Sequence, residues 1–150
     1  MHITRRKALV LGASAMAAAG FGLPVANAQK AGEVEELIAK FTGGKKPEQA
    51  KVSLNTPEIA ENGNTVPIGV SVESPMTEKS YVTDVMILAD GNPRAGVVTF
   101  KFSPMSGTAD AQTRIRLAKT QNVIAIAKTS DGGVFMDKKL VKVTIGGCGG

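Results

Sequence analysis

The sequence predicts an all-β protein: an immunoglobulin-like antiparallel β-sandwich of about seven strands, with a short N-terminal helix and a flexible, glycine-rich C-terminal arm. Three observations carry that expectation. From Lys51 onward apolar residues recur with period 2, as where Val66, Ile68, Val70 and Val72 alternate with Pro67, Gly69 and Ser71, the mark of a half-buried strand. Turn chemistry punctuates the chain at Glu61-Asn62-Gly63-Asn64, Ser74-Pro75, Asp90-Gly91-Asn92-Pro93 and Asp131-Gly132-Gly133. No helical pattern intervenes between these runs, which favours two packed antiparallel sheets.

The first element stands outside that fold. Residues 1–28 read as a twin-arginine signal peptide, with a basic start at Arg5, Arg6 and Lys7, an uncharged stretch from Ala8 to Val25, and the small-x-small site Ala26-Asn27-Ala28. The paired arginines after Thr4, with Leu9 following, fit the twin-arginine pattern, although Ala8 stands at the usual Phe position. Gly12, Gly20, Gly22 and Pro24 interrupt the apolar run, which argues against a stable membrane anchor. Cleavage after Ala28 and delivery to the periplasm are therefore expected.

Removing that segment changes what the composition means. The whole chain of 150 residues carries 18 Lys and Arg against 13 Asp and Glu, a formal +5, and loss of Arg5, Arg6 and Lys7 lowers it to +2. No dense basic stripe with interleaved aromatics remains, so nucleic-acid binding loses its support. The single histidine, His2, also departs. Its loss excludes Ser-His-Asp and Cys-His catalysis and every histidine-based zinc, copper or haem site. The single cysteine, Cys148, excludes an intramolecular disulfide, a four-cysteine zinc site and a cysteine-ligated iron–sulfur cluster. Neither a cofactor nor an enzymatic activity of the chain's own is expected.

Residues 29–50 form the next unit, a helix and linker. Val34, Leu37, Ile38 and Phe41 fall on one helical face, Glu33, Glu35 and Glu36 crowd the expected first turns, and Gly43-Gly44 ends the helix. The sandwich occupies residues 51–145, with strands expected at Lys51–Leu54, Val66–Val72, Tyr81–Ala89, Gly96–Phe102, Gln112–Lys119, Val123–Thr129 and Phe135–Ile145. Two of these are apolar on both faces, at Val85-Met86-Ile87-Leu88-Ala89 and Val123-Ile124-Ala125-Ile126-Ala127. A sandwich covers only one face of a strand, so the second needs the N-terminal helix or another subunit. Alternation also sets Arg114 and Arg116 on the face opposite Thr113, Ile115 and Leu117, a solvated face that could attract an acidic partner or a small anion.

The last unit, residues 146–150, is Gly146-Gly147-Cys148-Gly149-Gly150. Glycines have no side chains to pack, and ordering them costs more backbone entropy than any other residue. The tail is therefore expected to be mobile and exposed. Five residues reach at most about 17 Å, which lets Cys148 stand about 10 Å beyond the last strand. So thin a backbone could feed its thiol down a narrow channel of another protein. No histidine or helix N-terminus lies nearby in sequence to activate the thiolate, and the adjacent α-carboxylate opposes its formation. The thiol thus reads as a group that bears substrate while other enzymes act upon it.

The ending Val141-Lys142-Val143-Thr144-Ile145-Gly146-Gly147-Cys148-Gly149-Gly150 resembles that of the SoxY family, the sulfur-carrier subunits of the periplasmic thiosulfate-oxidising multienzyme system. The export signal, Val66-Pro67-Ile68 and Thr113-Arg114-Ile115-Arg116-Leu117-Ala118 with Thr120-Gln121 are similar as well. The resemblance implies an immunoglobulin-like sandwich paired with SoxZ in a heterodimer. It also implies that Cys148 is the covalent attachment point, with Gly146, Gly147, Gly149 and Gly150 as its slender arm. A haem-containing enzyme would conjugate thiosulfate to the thiol, and a hydrolase would release sulfate. Where present, a sulfur dehydrogenase would oxidise the remaining sulfane sulfur.

Two other readings are compatible with parts of the chain. A ubiquitin-like sulfur donor would use Gly149-Gly150 as a thiocarboxylate, but seven strands and an export signal speak against it. A periplasmic interaction module would use Cys148 only to tie chains together by an intermolecular disulfide.

Overall fold

The computed structural model describes residues 25–147. Residues 1–24 of the signal segment, Arg5 and Arg6 among them, and the terminal Cys148, Gly149 and Gly150 lie outside the described residues. The elements are α1 (Val25–Thr42), β1 (Val52–Asn55), β2 (Ile59–Asn62), β3 (Val66–Val72), β4 (Val82–Ala89), β5 (Gly96–Lys101), β6 (Ala109–Ile115), β7 (Gln121–Thr129) and β8 (Val134–Ile145), with a 3-10 turn at Pro104–Ser106. The strands form a β-sandwich, three in the order β1-β3-β6 and five in the order β2-β8-β7-β4-β5.

Between the sheets lies the main core. Val66, Ile68, Val70 and Val72 of β3 are all buried while the intervening Pro67 and Ser71 are exposed, as the period-2 pattern requires. They meet Val85, Ile87 and Ala89 of β4, Val123, Ala125 and Ala127 of β7, and Val141 of β8.

A second apolar cluster seals the other face of the larger sheet. Met86 and Leu88 of β4 and Ile124 and Ile126 of β7 pack with Val34, Leu37, Ile38 and Phe41 of α1. The chain's own helix therefore supplies the cover that these doubly apolar strands need. Lys128 adds a cationic lid, its Nζ 4.5 Å from the centre of the Phe41 ring.

Helix α1 is described from Val25, ahead of the expected cleavage site at Ala28. In the uncleaved chain Glu33, Glu35 and Glu36 therefore lie inside the helix. Glu33 has another role, its Oε1 accepting the Ala95 amide at 3.2 Å. The C-terminus follows expectation: Gly43 and Gly44 adopt φ of 67° and 85°, and the Gly44 amide donates to Ala39 O at 2.9 Å, a Schellman closure. Gly43→Ala should cost about 1–2 kcal/mol, the left-handed penalty for a residue with a Cβ, read as a shift in the urea midpoint.

Three strand expectations need correction. The segment Ile59–Asn62, expected to lead into a turn, is a strand, which makes eight strands among the described residues. It pairs with β8 in parallel, Ile59 opposite Lys142 and Ala60 opposite Val143, so the sheets are not wholly antiparallel. Its four residues show little alternation of their own; the neighbouring β8 backbone templates them. A parallel pair also requires a long crossover connection, here almost the whole sandwich. Finally, β6 spans Ala109–Ile115 instead of Gln112–Lys119, since Val72 and Val70 of β3 recruit Ala109 and Ala111. Residues 116–119 leave the ladder for the contacts described next.

Candidate functional site: the root of the carboxyl-terminal arm

Strand β8 delivers the chain end to the site. Val141 is fully buried and Val143 packs partly against the core, which fixes the strand's direction. Ile145 is 66% exposed, so apolar packing ends there. Beyond it the backbone itself makes the contacts.

Three segments converge on Gly147. The Gly63 amide donates to Ile145 O at 2.8 Å, the Leu117 amide to Gly63 O at 2.8 Å, and the Gly147 amide to Leu117 O at 2.9 Å. Gly63 follows β2, Leu117 follows β6 and Gly147 follows β8, so this chain of bonds ties both sheets together at one end. Gly63, Leu117 and Gly147 are buried.

The fit excludes side chains. A Cβ on Gly63 would lie 2.3 Å from Leu117 O and 2.5 Å from Gly147 N. One on Gly146 would lie 2.3 Å from Ala118 O, and one on Gly147 would lie 2.7 Å from Gly63 O. None of these three is among the positive-φ glycines. Glycine is needed here for close backbone approach, whereas at Gly43 it is needed for its conformation. The expected exposed arm is thus corrected at its root: Gly146 is exposed, but Gly147 is a buried, hydrogen-bonded residue.

A partly buried amide network braces the 116–119 segment. Asn92 Nδ2 donates to Arg116 O at 2.8 Å, and Asn92 Oδ1 accepts from the Ala118 amide at 2.9 Å and from Gln121 Nε2 at 2.9 Å. Gln121, only 4% exposed, also donates to Lys119 O at 2.9 Å and accepts from the Gly91 amide at 2.7 Å. Thr120 Oγ1 accepts the Val143 amide at 2.9 Å. Gln121→Ala would strand the Gly91 amide and remove a partner of Asn92, so it should cost about 1–3 kcal/mol; chemical denaturation checks this.

Sequence reasoning identified the terminal glycines but missed Gly63, Asn92 and Gln121. Gly63 and Asn92 were read as turn residues, and their long-range contacts leave no local signal. Arg114 and Arg116 are exposed, as alternation predicts, and so are Lys119 and Lys142. They lie on segments 114–119 and β8, the segments that lead into the root, and exposed Glu61 lies two residues before Gly63. Cys148 itself lies outside the described residues and follows directly on the fixed Gly147. Among the described residues no group of three or more His, Cys, Asp or Glu side chains could hold a metal ion, and no helix is long and apolar enough to cross a membrane.

Comparison with known proteins supplies the family. Residues 38–148 match the family described as sulfur oxidation protein SoxY. A search of curated protein sequences finds no match. Among solved structures, the sulfur carrier protein SoxY from Chlorobium limicola f. thiosulfatophilum is 30% identical, with a TM-score of 0.63 over 77% of this chain and 99% of that one. A superoxide reductase (neelaredoxin) variant from Ignicoccus hospitalis is 20% identical, with a TM-score of 0.57 over 64% of this chain and 82% of its own. A putative superoxide reductase from Thermotoga maritima is 19% identical, with a TM-score of 0.53 over 69% of this chain and 89% of its own. At those identities the reductases share the fold alone. The family match spans most of the chain and runs through the only cysteine: the chain belongs to the SoxY family of sulfur-oxidation proteins.

Proposed function

We propose that the protein is a covalent sulfur carrier of thiosulfate oxidation, acted upon by partner enzymes and exported to the periplasm by its twin-arginine signal. The observation that carries this reading is the family match that ends on Cys148, the chain's only thiol. Conjugation joins the Cys148 sulfur to the outer sulfur of thiosulfate. The thiol proton leaves, and an electron pair passes to the haem-containing partner. Water then cleaves the bond to the sulfonate group, sulfate departs with the added oxygen, and a persulfide stays on the arm. Where a sulfur dehydrogenase is present, it oxidises that persulfide before a second hydrolysis restores the thiol.

This division of labour suits the chain. It offers no imidazole in the expected mature form, and its one thiol cannot be captured by a second cysteine. Arg114, Arg116, Lys119 and Lys142 provide a positive field that favours anionic thiosulfate and acidic docking surfaces. SoxZ is the expected heterodimer partner, and its contact face is a matter for crosslinking.

Intact-mass spectrometry of protein purified from thiosulfate-grown cells tests the reading. Reductant-labile sulfur adducts on the C-terminal peptide are the expected result. Their absence during active turnover, or a disulfide-linked pair of chains as the only modified species, would overturn it.

A further inference from the structure

We propose that Gly63 is a positioning residue for Cys148, because the clasp of Gly63, Leu117 and Gly147 fixes the arm at Gly147, the residue that precedes the thiol in sequence. The functional consequence rests on the carrier reading above, whereas the clasp itself can be tested without thiosulfate.

The argument begins with the bonds. Gly63 uses both backbone groups, donating to Ile145 O and accepting from the Leu117 amide, while Leu117 O accepts from Gly147. Gly147 has a neighbour on its other side too, since its missing Cβ would stand 2.7 Å from Gly63 O and 3.1 Å from the Asn64 amide nitrogen. A buried residue held in this way cannot serve as a free hinge while the clasp is closed. Cys148 is the next residue in sequence after Gly147, so a clasp closed at Gly147 leaves one backbone link before the thiol-bearing residue. Pivoting at Ile145 would add two residues, about 7 Å, to the reach of the thiol. Closure therefore trades reach for a defined starting point. A partner that admits the arm deeply must first open the clasp, and the glycines at 146 and 147 make closure possible.

The glycines of the terminal motif thus divide into two roles. Gly146 and Gly147 fit the domain, where added Cβ atoms would meet Ala118 O and Gly63 O. Gly149 lies beyond the thiol and serves as a control in the same chemical setting.

Because Cys148 is the only thiol, its alkylation reports on the arm alone. The test compares the rate with iodoacetamide against the rate with a maleimide carrying a bulky polyethylene glycol chain, on the full chain and on Gly63→Ala, Gly147→Ala and Gly149→Ala. A bulky reagent needs the thiol to stand clear of the domain, so it reacts through the open population. The bulky-to-small rate ratio should rise about tenfold in Gly63→Ala and Gly147→Ala, the worth of one lost hydrogen bond, and stay at wild type in Gly149→Ala. Amide exchange at Gly147 should accelerate in parallel.

A Gly63→Ala protein that melts earlier yet keeps the wild-type ratio would reduce Gly63 to a packing residue and overturn the proposal. If Gly63→Ala does not fold, Gly147→Ala decides the matter by the same ratio. A wild-type ratio there overturns the proposal equally.

Discussion

A Cys148→Ser protein should carry no thiosulfate-derived sulfur under conditions that load the parent chain, and should fold unchanged. A hydroxyl neither forms a stable bond to sulfane sulfur nor ionises near neutral pH, so the proposed attachment point vanishes. The substitution adds no bulk and lies beyond Gly147, which is buried and is the last of the described residues. Its effect on stability should stay within about 0.5 kcal/mol, as for surface sites away from special features. Mass spectrometry after incubation with the partner enzymes and thiosulfate measures the loss, and thermal unfolding measures the null effect on the fold. A serine protein that still gains sulfur would shift the carrier role to the terminal carboxylate, as in a thiocarboxylate donor.

The second large effect lies in the larger sheet. Ile87 and Leu88 are consecutive on β4, both fully buried, and face opposite ways, Ile87 into the intersheet core and Leu88 under α1. Ile87→Ala and Leu88→Ala should each cost about 2–5 kcal/mol, a large part of the roughly 5–15 kcal/mol that holds a domain together. An ordinary half-solvated strand would show that cost at only one of two neighbours. Urea midpoints of the two variants settle the point: a Leu88→Ala cost near zero would mean that α1 does not seal the sheet in solution.

The sandwich was legible wherever side chains alternate. β3 could be read residue by residue because each apolar position meets the core and each polar one meets water. The doubly apolar runs of β4 and β7 announced a second layer, and Val34, Leu37, Ile38 and Phe41 were its evident source; only the identity of the cover stayed open until the packing was seen. β2 escaped because its four residues gain their conformation from β8, at the far end of the chain. The site was half legible. Cys148 and its glycines stand out by composition alone, but Gly63 sits in a run that any turn would use. Its true constraint is a backbone atom of Leu117 that sequence spacing cannot bring near.

Gly63, Leu117 and Gly147 come from distant parts of the chain, and that has a consequence for how the molecule matures. Contacts of long sequence separation form late, after the entropy of closing the intervening loops has been overcome. Here the last of them requires β8 to settle beside β2 while β6 brings Leu117 across from the other sheet. A misregistered chain would leave Gly147 without its Leu117 partner, and a correctly folded one seats it. Closure of the clasp thus reports that both sheets have come together in register.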